Sequence, residues 1–202
     1  ILSLRVVTAD GRDIRTARRA RKSAAGYDLT RLFIGSEGTL GVITRVRLRL
    51  HGIPEAQSAA ICQFPDLESA VNTTIATMQT GIPVARIELL DADQMEACIK
   101  YSKLEGLRAT PTLFLEFHGT HAAVKEQAEG VEAIATDFGG EGFSWATEPE
   151  ARNKLWKARH DAYWAGLALI PGMRGITTDV CVPISKLAEA ILGAKADAVA
   201  SG

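Results

Sequence analysis

Hydrophobic and polar positions along this chain follow two rhythms, and those rhythms predict its elements. Leu2 to Thr8 is apolar and β-branched, and Asp10-Gly11 supplies a turn before Ile14 resumes, the pattern of a β-hairpin. Val42, Thr44, Val46, Leu48 and Leu50 alternate with Ile43, Arg45, Arg47 and Arg49, a period of two that predicts a strand with one charged face. Between them, Asp28 caps a short helix that runs to Phe33 and ends at Gly35. The stretch from Arg18 to Gly26, with Arg19, Arg21 and Lys22, is basic and alanine-rich; it holds too few large apolar residues for a core and reads as a loop.

At His51-Gly52-Ile53-Pro54-Glu55 glycine and proline break the pattern, and a domain boundary is placed there, giving domains 1–54 and 55–202. Beyond it, strands are predicted at 59–64, 84–90, 112–117 and 176–182. Helices are predicted at 67–79 behind the cap Asp66, after the cap Asp91, at 122–138 and 149–169, and from Ile184 onward with Ser185 as cap. Strands and helices interleaved at these lengths predict an α+β fold, a sheet covered by helices on one face.

Composition narrows this only a little. With 202 residues, 47% of them hydrophobic and 23% charged, the chain is globular and long enough for a substantial core. A formal net charge of -1 argues against a general nucleic-acid binder, which needs a surplus of Lys and Arg. Cys62, Cys98 and Cys181 have no paired spacing, so reduced thiols are expected. No apolar run is long enough to span a bilayer. Ile1 already stands inside an apolar run, and the chain is read as a fragment of a longer protein.

The most informative local feature is Gly35-Ser36-Glu37-Gly38-Thr39-Leu40-Gly41. Glycines at every third position let the main chain approach a ligand, and successive N–H groups in such a turn can cradle an anion. It is neither a Rossmann fingerprint nor a Walker loop: the G-x-G core and the Gly-Lys-Ser/Thr end are both missing, and a strand follows where a helix should. Taken alone, a glycine turn before a strand is more often a plain turn.

Lys22-Ser23-Ala24-Ala25-Gly26-Tyr27-Asp28-Leu29, followed by Leu32 to Thr44, resembles the FAD-linked oxidase family of vanillyl-alcohol-oxidase type. That group includes D-lactate dehydrogenase, the glycolate oxidase flavin subunit and D-2-hydroxyglutarate dehydrogenase. Leu155-Trp156-Lys157-Ala158-Arg159-His160 and Thr178 to Ser185 look like cap segments of the D-lactate branch. The resemblance implies the C-terminal part of a PCMH-type FAD-binding domain followed by a ferredoxin-like α+β cap. Lys22, Ser23, Gly26, Tyr27, Gly35, Ser36, Gly38, Thr39, Gly41 and Ile43 would then border FAD, with Glu37 as polar structure at the turn.

The same resemblance bears on the substrate. Trp156, Arg159 and Tyr163 lie three and four apart on a predicted helix and so share a face, and a guanidinium there can hold a carboxylate in a bidentate fork. From the residues alone, a surface arginine paired with Asp161 or Glu150 is the favoured reading of Arg159. The resemblance matches it to the family's carboxylate-binding arginine, with Tyr163 and Thr177 beside it. Where the D-2-hydroxyglutarate branch has a Lys for a second carboxylate, this chain has Thr177-Thr178-Asp179, with Arg174 near enough in sequence to compensate. A monocarboxylate is therefore implied, oxidised as D-lactate to pyruvate. Glycolate and D-2-hydroxyglutarate are the alternatives within the family, and a non-enzymatic binding module is the alternative outside it.

The implied electron acceptor is a cytochrome, a quinone or an electron-transfer flavoprotein. The implied location is a bacterial cytoplasm or inner-membrane face with peripheral membrane association, or a mitochondrion in a eukaryote. His118 and His121 lack ligand partners at metal spacing, His160 is expected to point away from Arg159, and no metal ligand is assigned in this chain. The family's His-rich motif follows the segment matching Val182. A divalent metal and the general base are therefore expected downstream of Gly202, and the fragment alone is expected to be inactive.

Overall fold

The computed structural model describes residues 1–18, 23–172 and 174–201, the side chains of Lys154 and Ala158 apart. They form two compact units, Ile1–Ile53 and Pro54–Gly202.

The first unit is a three-stranded antiparallel sheet with one short helix. Strands β1 (Ser3–Val7), β2 (Asp13–Arg15) and β3 (Val42–Arg47) lie in the order β2-β1-β3, and α1 (Leu29–Phe33) separates β2 from β3 in the chain. The hairpin turn closes with Gly11 at φ 81°, a left-handed setting that suits glycine. Asp28 caps α1 by accepting from the Arg31 N–H at 3.1 Å. Leu4, Val6 and Phe33 form a small core with Ile14 against it. Gly41 marks the closest approach of β3 to β1: a Cβ there would stand 2.7 Å from the Val7 carbonyl oxygen and 2.8 Å from Val6 Cγ1.

The second unit is built on strands β4 (Ala56–Gln63), β5 (Val84–Leu90), β6 (Thr112–Gly119) and β7 (Glu141–Ala146), in the antiparallel order β5-β6-β4-β7. With α2 (Leu67–Gln79) joining β4 to β5 and α4 (His121–Asp137) joining β6 to β7, this is the ferredoxin-like split β-α-β arrangement. Asp66, Asp91 and Thr120 each accept a backbone N–H at the start of α2, α3 (Ala92–Ser102) and α4.

Helices cover both faces of this sheet rather than the one face expected. Ala60, Cys62, Leu113, Leu115 and Phe117 pack toward α2 and α4. Ala59, Ile61 and Phe114 pack the other way, with Met95 and Cys98 of α3, Trp156 of α5 (Pro149–His160) and Ala165 of α6 (Ala162–Leu169). The central strands are apolar on both sides, so each face needs a cover.

Three further expectations change. Residues 149–169 form two helices, because the chain turns at Asp161. Residues 176–182 form no strand and lie exposed, since nothing pairs with them among the described residues. Ser185 does not cap: a 3₁₀ turn, Ile184–Lys186, leads from Pro183 into α7 (Leu187–Ser201) without a side-chain cap bond. Strand β7 was not anticipated, although Phe143, Trp145 and their small or polar neighbours carry a weak alternation. No helix among the described residues is long and apolar enough to cross a membrane.

Two outcomes follow from this packing. Phe117→Ala, which empties a fully buried site between β6 and α4, should lower unfolding free energy by about 3–5 kcal/mol in denaturant titration. Burial pushes the Cys62 thiol up to about 11 and raises that of Cys98 too, so at neutral pH neither supplies appreciable thiolate. Iodoacetamide should modify Cys62 and Cys98 only after denaturation, and mass-spectrometric detection of either adduct in native protein would contradict the packing.

Candidate functional site

In the first unit the glycine turn leaves α1 through a chain of hydrogen bonds. The Ser36 N–H donates to the Phe33 carbonyl at 3.2 Å, and both the N–H and the hydroxyl of Thr39 donate to the Ser36 carbonyl, at 2.9 and 2.7 Å. Gly35 and Gly38 sit at φ 80° and 83°, with Glu37 left-handed between them at 47°. A Cβ at Gly35 or Gly38 would meet nothing within 4 Å, so these glycines face open space. Gly41 is different, because the strand approach already demands a glycine there.

Ser36 Oγ is buried without a hydrogen-bond partner, an unsatisfied group beside the open glycines. Ile43 lies on β3 with its side chain partly exposed.

The earlier half of the predicted flavin segment lies apart from the turn. Ser23, Gly26 and Tyr27 line a cavity of about 950 Å³ with Thr16, Asp28 and Arg31. The Ser23 hydroxyl accepts from the Ala25 N–H at 3.2 Å, Gly26 is left-handed at φ 74°, and the Tyr27 ring is almost fully exposed. Lys22, with Arg19 and Arg21, falls outside the described residues. Left-handed glycines and an open cavity suit a large dinucleotide held by main-chain donors. By contrast, no group of three or more His, Cys, Asp or Glu among the described residues could hold a metal, so no step is assigned to one here.

In the second unit charged side chains gather at the polar end of the α5 face. Pleating sends Arg86 and Glu88 of β5, and Phe114, Glu116 and His118 of β6, toward α5 and α3. The Arg86 guanidinium lies 3.7 Å from the Trp156 ring centroid and donates to Glu116 Oε2 at 2.5 Å. His118 Nε2 is 2.6 Å from Glu116 Oε1. Burial alone would push the Glu116 carboxyl up, but the hydrogen bonds from Arg86 and His118, with their charges, outweigh it and hold it below the usual carboxylate range.

Arg159, at the end of α5, donates from Nε to Glu88 Oε2 at 2.9 Å, and its Nη2 stands 2.6 Å from the same oxygen as an ion pair. Its partner is therefore neither Asp161 nor Glu150; Asp161 instead accepts from Lys157 at 2.7 Å. The shared face expected of Trp156, Arg159 and Tyr163 does not form as one surface. Trp156 is buried beneath Arg86, while Tyr163 stands beyond the helix break, exposed and edge-on to Trp164. His160, expected to point away, stacks on Trp156 with ring centroids 6.2 Å apart.

Thr177 sits in the exposed run after α6. That run leaves over Tyr163, since a side chain at Gly175 would meet the Tyr163 ring at 3.3 Å. Glu88 and Arg86 were missed in the sequence. Their signal was an Arg and a Glu two apart on one face of a strand otherwise apolar, Val84-Ala85-Arg86-Ile87-Glu88-Leu89-Leu90.

Comparison with known proteins bears on both units. The chain is 51% identical, over its whole length, to a protein named probable mitochondrial D-lactate dehydrogenase from Danio rerio, of which it covers 41%. It is likewise 51% identical to the mitochondrial D-lactate dehydrogenase [cytochrome] of Arabidopsis thaliana, of which it covers 35%. Glycolate oxidase subunit GlcD of Bacillus subtilis is 33% identical over 95% of the chain, which covers 40% of that protein. The chain thus spans about two fifths or less of these relatives.

Among solved structures, a 4-ethylphenol oxidase from Gulosibacter chungangensis superposes with a TM-score of 0.61 at 16% identity, over 84% of this chain and 40% of its own. The p-cresol methylhydroxylase structure superposes at 0.57 and 17%, over 78% of this chain and 36% of its own. Both support a PCMH-type fold. Residues 53–202 match the family described as FAD linked oxidases, C-terminal domain, and the chain belongs to the FAD-linked oxidase family.

Proposed function

We propose that this chain is part of an FAD-dependent D-2-hydroxy-acid dehydrogenase that oxidises D-lactate to pyruvate. The observation that carries the reading is the 51% identity, without loss of coverage of this chain, to two proteins named as D-lactate dehydrogenases. In this reading Ile1–Ile53 is the end of the FAD-binding domain and Pro54–Gly202 is most of the cap. The substrate enters as a monocarboxylate, in keeping with Thr177 and Thr178 where a second cationic side chain would serve a dicarboxylate.

A flavin bound along Ser23 to Ile43 supplies the acceptor for the hydride of the substrate α-carbon. The open sides of Gly35 and Gly38 admit close backbone contact. Gly26, Tyr27 and Thr39 border the same segment, while Gly41 serves the approach of β3 to β1 whether or not it also touches the cofactor.

Arg159 receives the substrate carboxylate. Its Nε–H donates to Glu88 and its Nη2 pairs with the same oxygen, which leaves the Nη1–Nη2 edge available for a bidentate fork. Held there, the α-carbon is oriented for transfer rather than merely bound. Tyr163 and Thr177 lie on the segments that follow the arginine in the chain. The electrons leave to a cytochrome, following the name of the Arabidopsis relative, and the compartment is the mitochondrion, following both names. Loose association with a membrane surface belongs to the same proposal.

Full-length protein carrying this segment should copurify with a yellow chromophore and reduce an artificial dye with D-lactate. Colourless, inactive full-length protein would end this reading. Arg159→Met should lower kcat/KM for D-lactate about a hundredfold while flavin content is retained. Equal losses of turnover and flavin would make the arginine a structural residue.

A further inference from the structure

Arg159 stands near the C-terminal end of α5, two residues before the chain turns at Asp161, and its side chain has several single bonds about which the guanidinium can rotate. An arginine so placed, with a third of its side chain exposed, would sample many orientations if nothing held it. A carboxylate bound to a freely rotating guanidinium is attracted but not aimed.

The structure shows what holds it. Glu88 lies on β5 at a position paired with Phe114 of β6, so its backbone is fixed in the sheet and its side chain rises beside α5. One oxygen, Oε2, accepts the Nε–H and stands 2.6 Å from Nη2, which holds that edge of the guanidinium against β5. One strand residue earlier on that face, Arg86 covers Trp156 of the same helix and is tied to Glu116, so β5 grips α5 at Trp156 and again at Arg159. A partly exposed ion pair contributes little to stability, on the order of 0–1 kcal/mol. What this pair does contribute is orientation.

We propose that Glu88 is a positioning residue for substrate binding: it occupies the Nε–Nη2 edge of Arg159 and thereby presents the opposite Nη1–Nη2 edge to the carboxylate of the D-2-hydroxy acid. This rests on the reading of Arg159 given above. Glu88 itself does not touch the substrate. Its role needs an acceptor oxygen at that place more than a negative charge, and a neutral amide of the same length can still accept from Nε. A full charge there also draws on the cation that the substrate needs, so the two contributions are separable by substitution.

The test uses flavin-loaded full-length protein and three variants. Glu88→Met keeps the volume and removes the acceptor; kcat/KM for D-lactate should fall by about tenfold to a hundredfold with flavin content unchanged. Glu88→Gln, which retains an acceptor, should stay within about threefold of the parent. In an Arg159→Met background, Glu88→Met should cause no further loss, because there is no guanidinium left to orient.

Parental kcat/KM in Glu88→Met, equal losses in the Met and Gln variants, or a Glu88→Met loss that persists beside Arg159→Met would each overturn the proposal. So would failure of both Glu88 variants to fold or load flavin, which would mark the residue as packing. If Arg159→Met is itself parental, the reading of Arg159 falls first. If Arg159→Met is impaired and Glu88→Met is not, only the role of Glu88 falls.

Discussion

The pairing of β4 with β6 is the constraint on which the second unit depends. Eight consecutive residue pairs, from Ala56 opposite Gly119 to Gln63 opposite Thr112, join two strands that are apolar on both faces. A strand pair of this kind cannot leave either side in water, so it draws α2 and α4 onto one face and α3, α5 and α6 onto the other. The edge strands β5 and β7 then complete the sheet, and the connections between them have little freedom left. Gly140 shows how tightly the layers close: a Cβ there would stand 2.8 Å from both the Ala135 carbonyl oxygen and Cys62 Sγ.

The candidate site follows from where that two-sided burial stops. Along β5 and β6 the face toward α5 runs from Leu90 and Phe114 to Glu88, Arg86, Glu116 and His118, so an apolar layer becomes a polar one within one sheet. Each charge at that end has a partner: Arg86 with Glu116 and the face of Trp156, His118 with Glu116, Glu88 with Arg159. Charges this near a core must be paired to stay ionised. Pairing also gives them fixed directions, which a binding site can use.

Much of this was legible in the residues. The hairpin, the cap at Asp28, the helix behind Asp66 and the strands through Ile61, Ile87 and Leu115 all carry local signals, namely a turn dipeptide, a capping carboxylate or a period. The segment proposed to border a flavin stands out through its glycines; Gly35 and Gly38 face open space, whereas Gly41 is explained by β1 alone. Residues 176–182 misled because β-branched composition describes a willing strand but not a partner for it. The helix from Pro149 misled in the opposite sense: periodicity continued through Asp161, where the chain turned to place α6 against α3.

What the sequence by itself determined is local and collective: where the periods lie, which side chains cap helices, which strands are apolar throughout, and to which family the glycine turn and the Trp-x-x-Arg segment belong. Those properties depend on neighbours within a few residues, so they survive being read in a line. Tertiary structure decided the partners. Glu88 and Arg159 stand 71 positions apart, as do no two members of any local motif here, and Arg86 meets Trp156 only because β5 and α5 share one face of the sheet. An ion pair needs two charges within a few ångströms and a surface that keeps them there, and only the folded sheet supplies that distance.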